Sequence, residues 1–285
     1  MDNFQQWQPW VQGAFPDLQN LQPLGGGGQK LVFSAHHAVD GDVVLKIIFP
    51  VQNTEDIRRE ILAVQQVNSP RVPQIFEHGL RDMPFGSCYW IRERLVSGQT
   101  VRQVLQHGPL PSADVLKLAV HTLEALTNAE AVSIVHRDVK PENLMRDLQG
   151  NFWLLDFGIA RHLTLDSRTA TAMPFGKMTL GYAPPEQCRN VKPRIDSRSD
   201  LFALGVTLYE AITGANPFLA NARDMFEVLR RVENMQLERL TLNIANAGSF
   251  ADLISAMTQK RRMHRQRTVR ETLEWINEIC DSKDH

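Results

Sequence analysis

Cysteine is scarce in this chain. Its 285 residues hold three, Cys88, Cys188 and Cys280, widely separated and odd in number. Such a set supports neither a disulfide framework nor a thiolate zinc site, and it fits a reducing, cytoplasmic compartment. An imbalance of charge is missing too. The 31 Lys and Arg stand against 32 Asp and Glu, a formal net charge of −1. Neither nucleic acid nor a membrane surface is therefore the expected partner. No apolar run approaches the roughly 20 residues of a membrane helix. Met1 to Trp7 has no basic and no apolar region, so it does not read as a signal peptide. Internal repeats are absent, and Gly25 to Gly28 is the one low-complexity run. The remainder is an ordinary globular composition, 43% hydrophobic and 22% charged. The length suits one large domain or two lobes with separate cores.

The densest chemistry lies in His136-Arg137-Asp138-Val139-Lys140-Pro141-Glu142-Asn143. Ile134 and Val135 precede it and Leu144 and Met145 follow, so it reads as a polar loop pinned between buried segments. Asp156-Phe157-Gly158 comes thirteen residues beyond Asn143, after the apolar run Phe152 to Leu155. One Asp is suited to take a hydroxyl proton, while an Asn and a second Asp hold a divalent metal. That is a part list for phosphoryl transfer from a nucleotide.

Upstream, the four glycines Gly25, Gly26, Gly27 and Gly28 let backbone approach backbone or phosphate without a Cβ in the way. Leu31 to Val39 and Val43 to Ile48 read as strands joined by an Asp40-Gly41 turn. Lys46 lies inside the second strand, a costly place for a cation unless it finds an anion. Asn53-Thr54 can cap a helix to about Val67, with Ile57, Ile61 and Val64 as its stripe. Glu60 falls within that stripe and wants a cation. Glu55 is the alternative carboxylate, although a helix-dipole role suffices for it in the first turn. Tyr89 to Val96 reads as a further strand. Ser112 reads as the N-cap of a helix with Leu116, Val120, Leu123 and Leu126 buried. Ser199-Asp200 opens a helix from Leu201 to Ile212 that is apolar almost all round. Between Ile159 and Leu180 there is little periodicity, as in a functional long loop. The basic run from Lys260 to Arg270 reads as the solvated face of a helix pair.

His136 to Asn143 and Asp156-Phe157-Gly158 together resemble the H-R-D-x-K-x-x-N and D-F-G motifs of the protein kinase superfamily, on its Ser/Thr side. The resemblance covers roughly residues 18 to 276. It implies an α+β, two-lobed fold: an antiparallel-sheet N-lobe with one helix (about 18–96) and a mostly helical C-lobe (about 97–276). Residues 1–17 would be an N-terminal extension and 277–285 a tail, with no receptor, transmembrane or docking module appended.

The resemblance also implies roles. Asp138 would be the catalytic base and Lys140 would steady the γ-phosphate, while Asn143 and Asp156 would hold magnesium, or manganese in its place. Lys46 would hold the ATP phosphates, fixed by Glu60. Leu24, Gly25, Gly26, Gly27, Gly28 and Val32 would cover the nucleotide, with Lys30 standing where the family's third glycine belongs. Arg94, Leu95 and Val96 would form the hinge that meets adenine, and Glu93 would guard the back pocket. Thr164, Ser167, Thr169 and Thr171 would be activation-segment phosphosites, and Thr179 would line the substrate groove. Pro185-Glu186 resembles the end of A-P-E, and Glu186 would pair with Arg265, or with Arg267. Asp200 would hold the catalytic loop's backbone. A protein substrate is expected, and the oligomeric state is left open. Two rivals remain: a small-molecule phosphotransferase of the aminoglycoside or choline type, and a pseudokinase that only binds.

Overall fold

A computed structural model describes residues 4–27, 30–49, 54–84, 86–157, 178–241 and 246–281. The described chain falls into two compact units. One holds residues 4–65 and 73–96, and the other holds 66–72, 97–157, 178–241 and 246–281.

Alternation decides the first unit. Its sheet comprises β1 (Leu18–Gly27), β2 (Lys30–His37), β3 (Gly41–Ile48), β4 (Ile75–Met83) and β5 (Gly86–Arg94), in the antiparallel order β1-β2-β3-β5-β4. Successive side chains of a strand point to opposite faces. Val43, Leu45 and Ile47 of β3 therefore join Phe33 and Trp90 on one face, where helix α1 (Phe4–Ala14) adds Val11, and Phe15 and Leu18 follow. Ile48 joins Tyr89 and Ile91 on the other, where helix α2 (Thr54–Val64) adds Ile61. Each fully buried Leu, Ile or Phe in these layers contributes about 1.5–3 kcal/mol. β3 is covered on both faces, so Lys46 has no wet side: it is 8% exposed. Gly41 makes the β2–β3 turn at φ 74°, where a side chain would be strained.

The stretch read as an extension is thus, from Phe4 onward, largely helix and core. Phe15 is 3% exposed, while Trp10 stays 53% exposed. A buried Arg92 clamps this end of the unit. Its guanidinium reaches Asp17 at 3.0 Å, Asp40 at 3.1 Å and Glu77 at 2.9 Å.

The second unit is mostly helical. It carries a small sheet, β6 (Gly98–Thr100), β7 (Leu144–Asp147) and β8 (Phe152–Leu154), in the order β6-β7-β8. Its helices are α3 (Val101–Leu105), α4 (Ser112–Ala131), α5 (Pro185–Cys188), α6 (Ser197–Thr213), α7 (Met225–Asn234), α8 (Ala247–Met257) and α9 (Val269–Asp281). The α4 cap is Pro111 and makes no side-chain bond, so Ser112 is the first helical residue and not the N-cap expected from sequence. α6 also starts earlier than expected. Asp196 is its cap, accepting from Arg198 N–H at 3.0 Å, which moves Asp200 into the first turn. Gly214 ends α6 at φ 80°, the left-handed stop that glycine adopts without strain. A Cβ on Gly205 would come within 2.8 Å of Thr258, so glycine lets α6 lie close to the end of α8. Among the described residues, no helix is long and apolar enough to cross a membrane.

Candidate active site

The chain leaves α4 through Ser133, at φ 59°, and enters the loop before β7. Two backbone N–H groups of that loop, from His136 and Arg137, donate to Asp200 at 2.7 and 2.6 Å. Asp200 is 1% exposed. A buried carboxylate needs such donors, and the loop needs an anchor, so each satisfies the other. Arg137 sits at φ 65°, a strained region for a side chain of its size. Its carbonyl accepts from Gln187 Nε2 at 2.9 Å, which ties the loop to α5.

His136 is fully buried. Its Nε2 lies 2.8 Å from the Leu155 carbonyl, and its Nδ1 lies 3.2 Å from the Asp138 N–H. A carbonyl only accepts and an N–H only donates, so the imidazole is neutral with its proton on Nε2. Its ring packs edge-on against Phe157, centroids 4.7 Å apart. Leu155 N–H also donates to the Asn143 carbonyl at 2.8 Å. Both edges of the residue before Asp156 are therefore fixed to the same loop, and Asp156 follows at φ 55°.

Asp138 is the hub. Thr179 Oγ1 donates to its Oδ1 at 2.7 Å, and Asn143 Nδ2 donates to its Oδ2 at 3.0 Å. Lys140 Nζ lies 3.0 Å from that Oδ2 and 2.9 Å from Thr179 Oγ1. Asn143 Nδ2 also bonds the Asp138 carbonyl at 2.8 Å, so its amide nitrogen is engaged at Asp138 and its oxygen is turned to other use. The Asn143 amide oxygen and the Asp156 carboxylate are hard donors. Two such donors fit magnesium, which keeps several waters and takes substrate phosphates for the rest. No cluster of three His, Cys, Asp or Glu able to hold a metal exists among the described residues.

The segment after residue 177 is held by contacts that sequence spacing does not reveal. Arg265 Nη1 and Nη2 meet Glu186 Oε1 and Oε2 at 2.6 and 3.1 Å, with Arg265 3% and Glu186 7% exposed. Arg265 also donates to the carbonyls of Gln259 and Arg198 at 2.8 and 3.0 Å. The side chain of Arg267, the other basic candidate, has no such partner among the described residues. Arg102 binds Glu142 Oε1 and Glu210 Oε1 at 2.7 Å each and the Tyr182 hydroxyl at 2.5 Å. Tyr182 donates to Glu210 in turn. Burial and the nearby Glu210 push the Tyr182 hydroxyl pKa well up, so it stays a donor.

In the first unit Lys46 pairs with Glu93. Val44 faces Glu93 and Lys46 faces Ile91 across the β3–β5 ladder, so the two charges are diagonal neighbours on one face. Glu93 is a carboxylate partner for Lys46 that the sequence reading did not name. Glu60 is half-buried on α2, which packs on the same face. The residue assigned to guarding a pocket is therefore a carboxylate for Lys46. β5 ends at Arg94, two residues before the expected end, so Leu95 and Val96 lie beyond the strand. Arg94 and Leu95 N–H groups donate to the Gln74 and Asp42 carbonyls at 2.9 and 3.0 Å. At the glycine run, Gly25, Gly26 and Gly27 face Val32, Leu31 and Lys30. Among the described residues other than its chain neighbours, no atom lies within 4 Å of a Cβ built on Gly25. Gly28 and the candidate phosphosites Thr164, Ser167, Thr169 and Thr171 lie outside the described residues.

The protein kinase domain family matches residues 18–276. The chain belongs to that family. It is 33% identical over 207 residues to the serine/threonine-protein kinase PrkC of Bacillus subtilis, covering 70% of this chain and 31% of that protein. It is 35% identical over 216 residues to a probable serine/threonine-protein kinase PknB of Bifidobacterium longum, with 70% and 31% covered. A probable serine/threonine-protein kinase of Clostridium perfringens is 27% identical over 266 residues, with 91% and 38% covered. The chain spans about a third of the length of these relatives.

Proposed function

We propose that this chain transfers the γ-phosphoryl group of ATP to Ser and Thr hydroxyls of proteins, its own activation segment included, in the cytoplasm. The arrangement at Asp138 carries the reading. One carboxylate is held by a hydroxyl on Oδ1 and by an amide and an ammonium on Oδ2. Held this way, Asp138 orients the acceptor hydroxyl and takes its proton as the bond to phosphorus forms. Lys140 lies beside the same carboxylate and steadies charge on the transferring group. Asn143 and Asp156 would hold magnesium, which when bound neutralises charge on the β- and γ-phosphates. Lys46 positions the phosphates, with Glu93 and Glu60 as its carboxylates. At the hinge, Leu95 has its N–H committed to Asp42, so an N–H donor to adenine falls to Val96. Little covalent work is left to the protein, and positioning supplies most of the acceleration.

Incubation with labelled ATP and magnesium tests this, with the chain itself, a basic protein and aminoglycoside or choline acceptors offered in parallel. Label on Ser or Thr of protein is the expected result. Label on small molecules alone would favour a small-molecule phosphotransferase. ATP binding with no transfer would make the chain a binding module.

A further inference from the structure

Away from Asp138, the second unit holds a concave space of about 770 Å³. Its walls come from α5, the loop after it, the end of α7 and the turn after α8. Seven charged groups line it, Glu186, Arg189, Arg194, Glu233, Lys260, Arg261 and Arg262, and their pairing is uneven. Glu186 is satisfied by Arg265. Arg189 binds Glu233 at 2.7 Å through Nε, and Arg262 binds Asp196 at 2.6 Å. Arg194, Lys260 and Arg261 are left, and none has a carboxylate partner among the described residues. Arg194 and Arg261 are exposed. The Lys260 ammonium is buried in the wall without a hydrogen-bond partner, 4.2 Å above the Phe218 ring. Burial, and then the nearby Arg265, lower its pKa to about 8. The basic run that sequence analysis gave to a solvated face thus turns part of its charge into a cavity.

We propose that this cavity binds a phosphorylated Ser or Thr side chain of a protein segment. Three uncompensated cations ask for more than one negative charge. A phosphomonoester brings about two at neutral pH and three acceptor oxygens, which match guanidinium forks. The volume lies in the range of small-molecule sites and far exceeds one phosphate ion, leaving room for the residue and its neighbours. Arg194 and Arg261 reach the phosphate, and Lys260 raises the potential behind it. The site is separate from the Asp138 cluster, so it docks an already phosphorylated protein and takes no part in transfer.

The test is fluorescence anisotropy of the full chain with labelled acetyl-Ala-Ala-phosphoThr-Ala-Ala-amide, its Thr and Glu counterparts, and inorganic phosphate as competitor. The phosphopeptide is expected to bind saturably and at least tenfold tighter than either counterpart. Arg194→Glu with Arg261→Glu should weaken it at least tenfold, with unchanged circular dichroism and unchanged transfer to a basic protein. Binding that survives the double variant places the phosphopeptide elsewhere and overturns the proposal. Equal binding of the Glu peptide overturns the phosphate assignment, and inorganic phosphate as tight as the peptide overturns the segment. Binding is read without turnover, so it succeeds or fails independently of the transferase activity.

Discussion

Lys46 and Glu93 share one face of the first unit's sheet, from adjacent strands, and form an ion pair there. Their side chains are 10% and 12% exposed. A cation and an anion this far from water stabilise each other's placement more than the fold. Glu93→Gln keeps the shape and an acceptor oxygen and removes the charge. The expected result is at least a tenfold fall in kcat/KM for ATP with unchanged circular dichroism, whereas Lys46→Met removes transfer. Wild-type kcat/KM in Glu93→Gln would leave the placement of Lys46 to Glu60.

Glu186 and Arg265 form a bidentate pair with both partners buried. Removing one partner of such a pair costs about 3–5 kcal/mol. At roughly 2–4 °C per kcal/mol for a unit of this size, Arg265→Ala should lower Tm by about 6–20 °C. Arg267→Ala, at an exposed side chain, should stay within about 0.5 kcal/mol of wild type. Equal melting of the two variants would refute the role given to the buried pair.

Asp138 and Asp156 should separate in kinetics. Asp156→Ala is expected to weaken magnesium-dependent ATP binding and to stop transfer. Asp138→Ala should leave ATP binding near wild type and lose nearly all transfer, as for a group that acts on the acceptor. Calorimetric titration with a non-hydrolysable nucleotide, beside labelled-ATP assays, reads both. Wild-type turnover in Asp138→Ala would refute the base assignment.

His121 gives stability a pH dependence. Burial lowers its pKa from 6.5 to about 4, and its Nδ1 accepts from the Phe152 N–H at 3.0 Å. The unfolded chain takes up this proton near pH 6.5 and the folded chain does not until about pH 4. The stabilisation is therefore fully present above 6.5 and is lost as pH falls from there to about 4. The slope from this one group is at most about 1.4 kcal/mol per pH unit. In urea titrations, His121→Gln should remove that slope from this window. A slope equal to wild type would assign it to other groups.

That His136 to Asn143 lies between α4 and β7 was legible in sequence, because a polar run bounded by apolar residues is a local signal. The strands around Lys46 were legible because alternation and the Asp40-Gly41 turn are local. Asp196 as the α6 cap was missed, because Ser199-Asp200 offers the same capping chemistry three residues later.

Pairing across the chain was a different matter. Local pattern offered Glu60, with Glu55 as the alternative, as the carboxylate for Lys46, and only the β3–β5 register put Glu93 on the face of Lys46. Tyr182, Arg102 and Glu210 are more than 25 residues apart, and no spacing predicts that they meet. Lys260 and Arg261 are neighbours in one basic run, yet the turn after α8 buries one ammonium over Phe218 and leaves the other side chain exposed. Sequence by itself determined which chemical groups exist and how short segments run, because propensity and periodicity act over a few residues. Tertiary structure alone decided which charge compensates which, because Coulomb energy depends on distance and burial, and both arise from packing distant segments together.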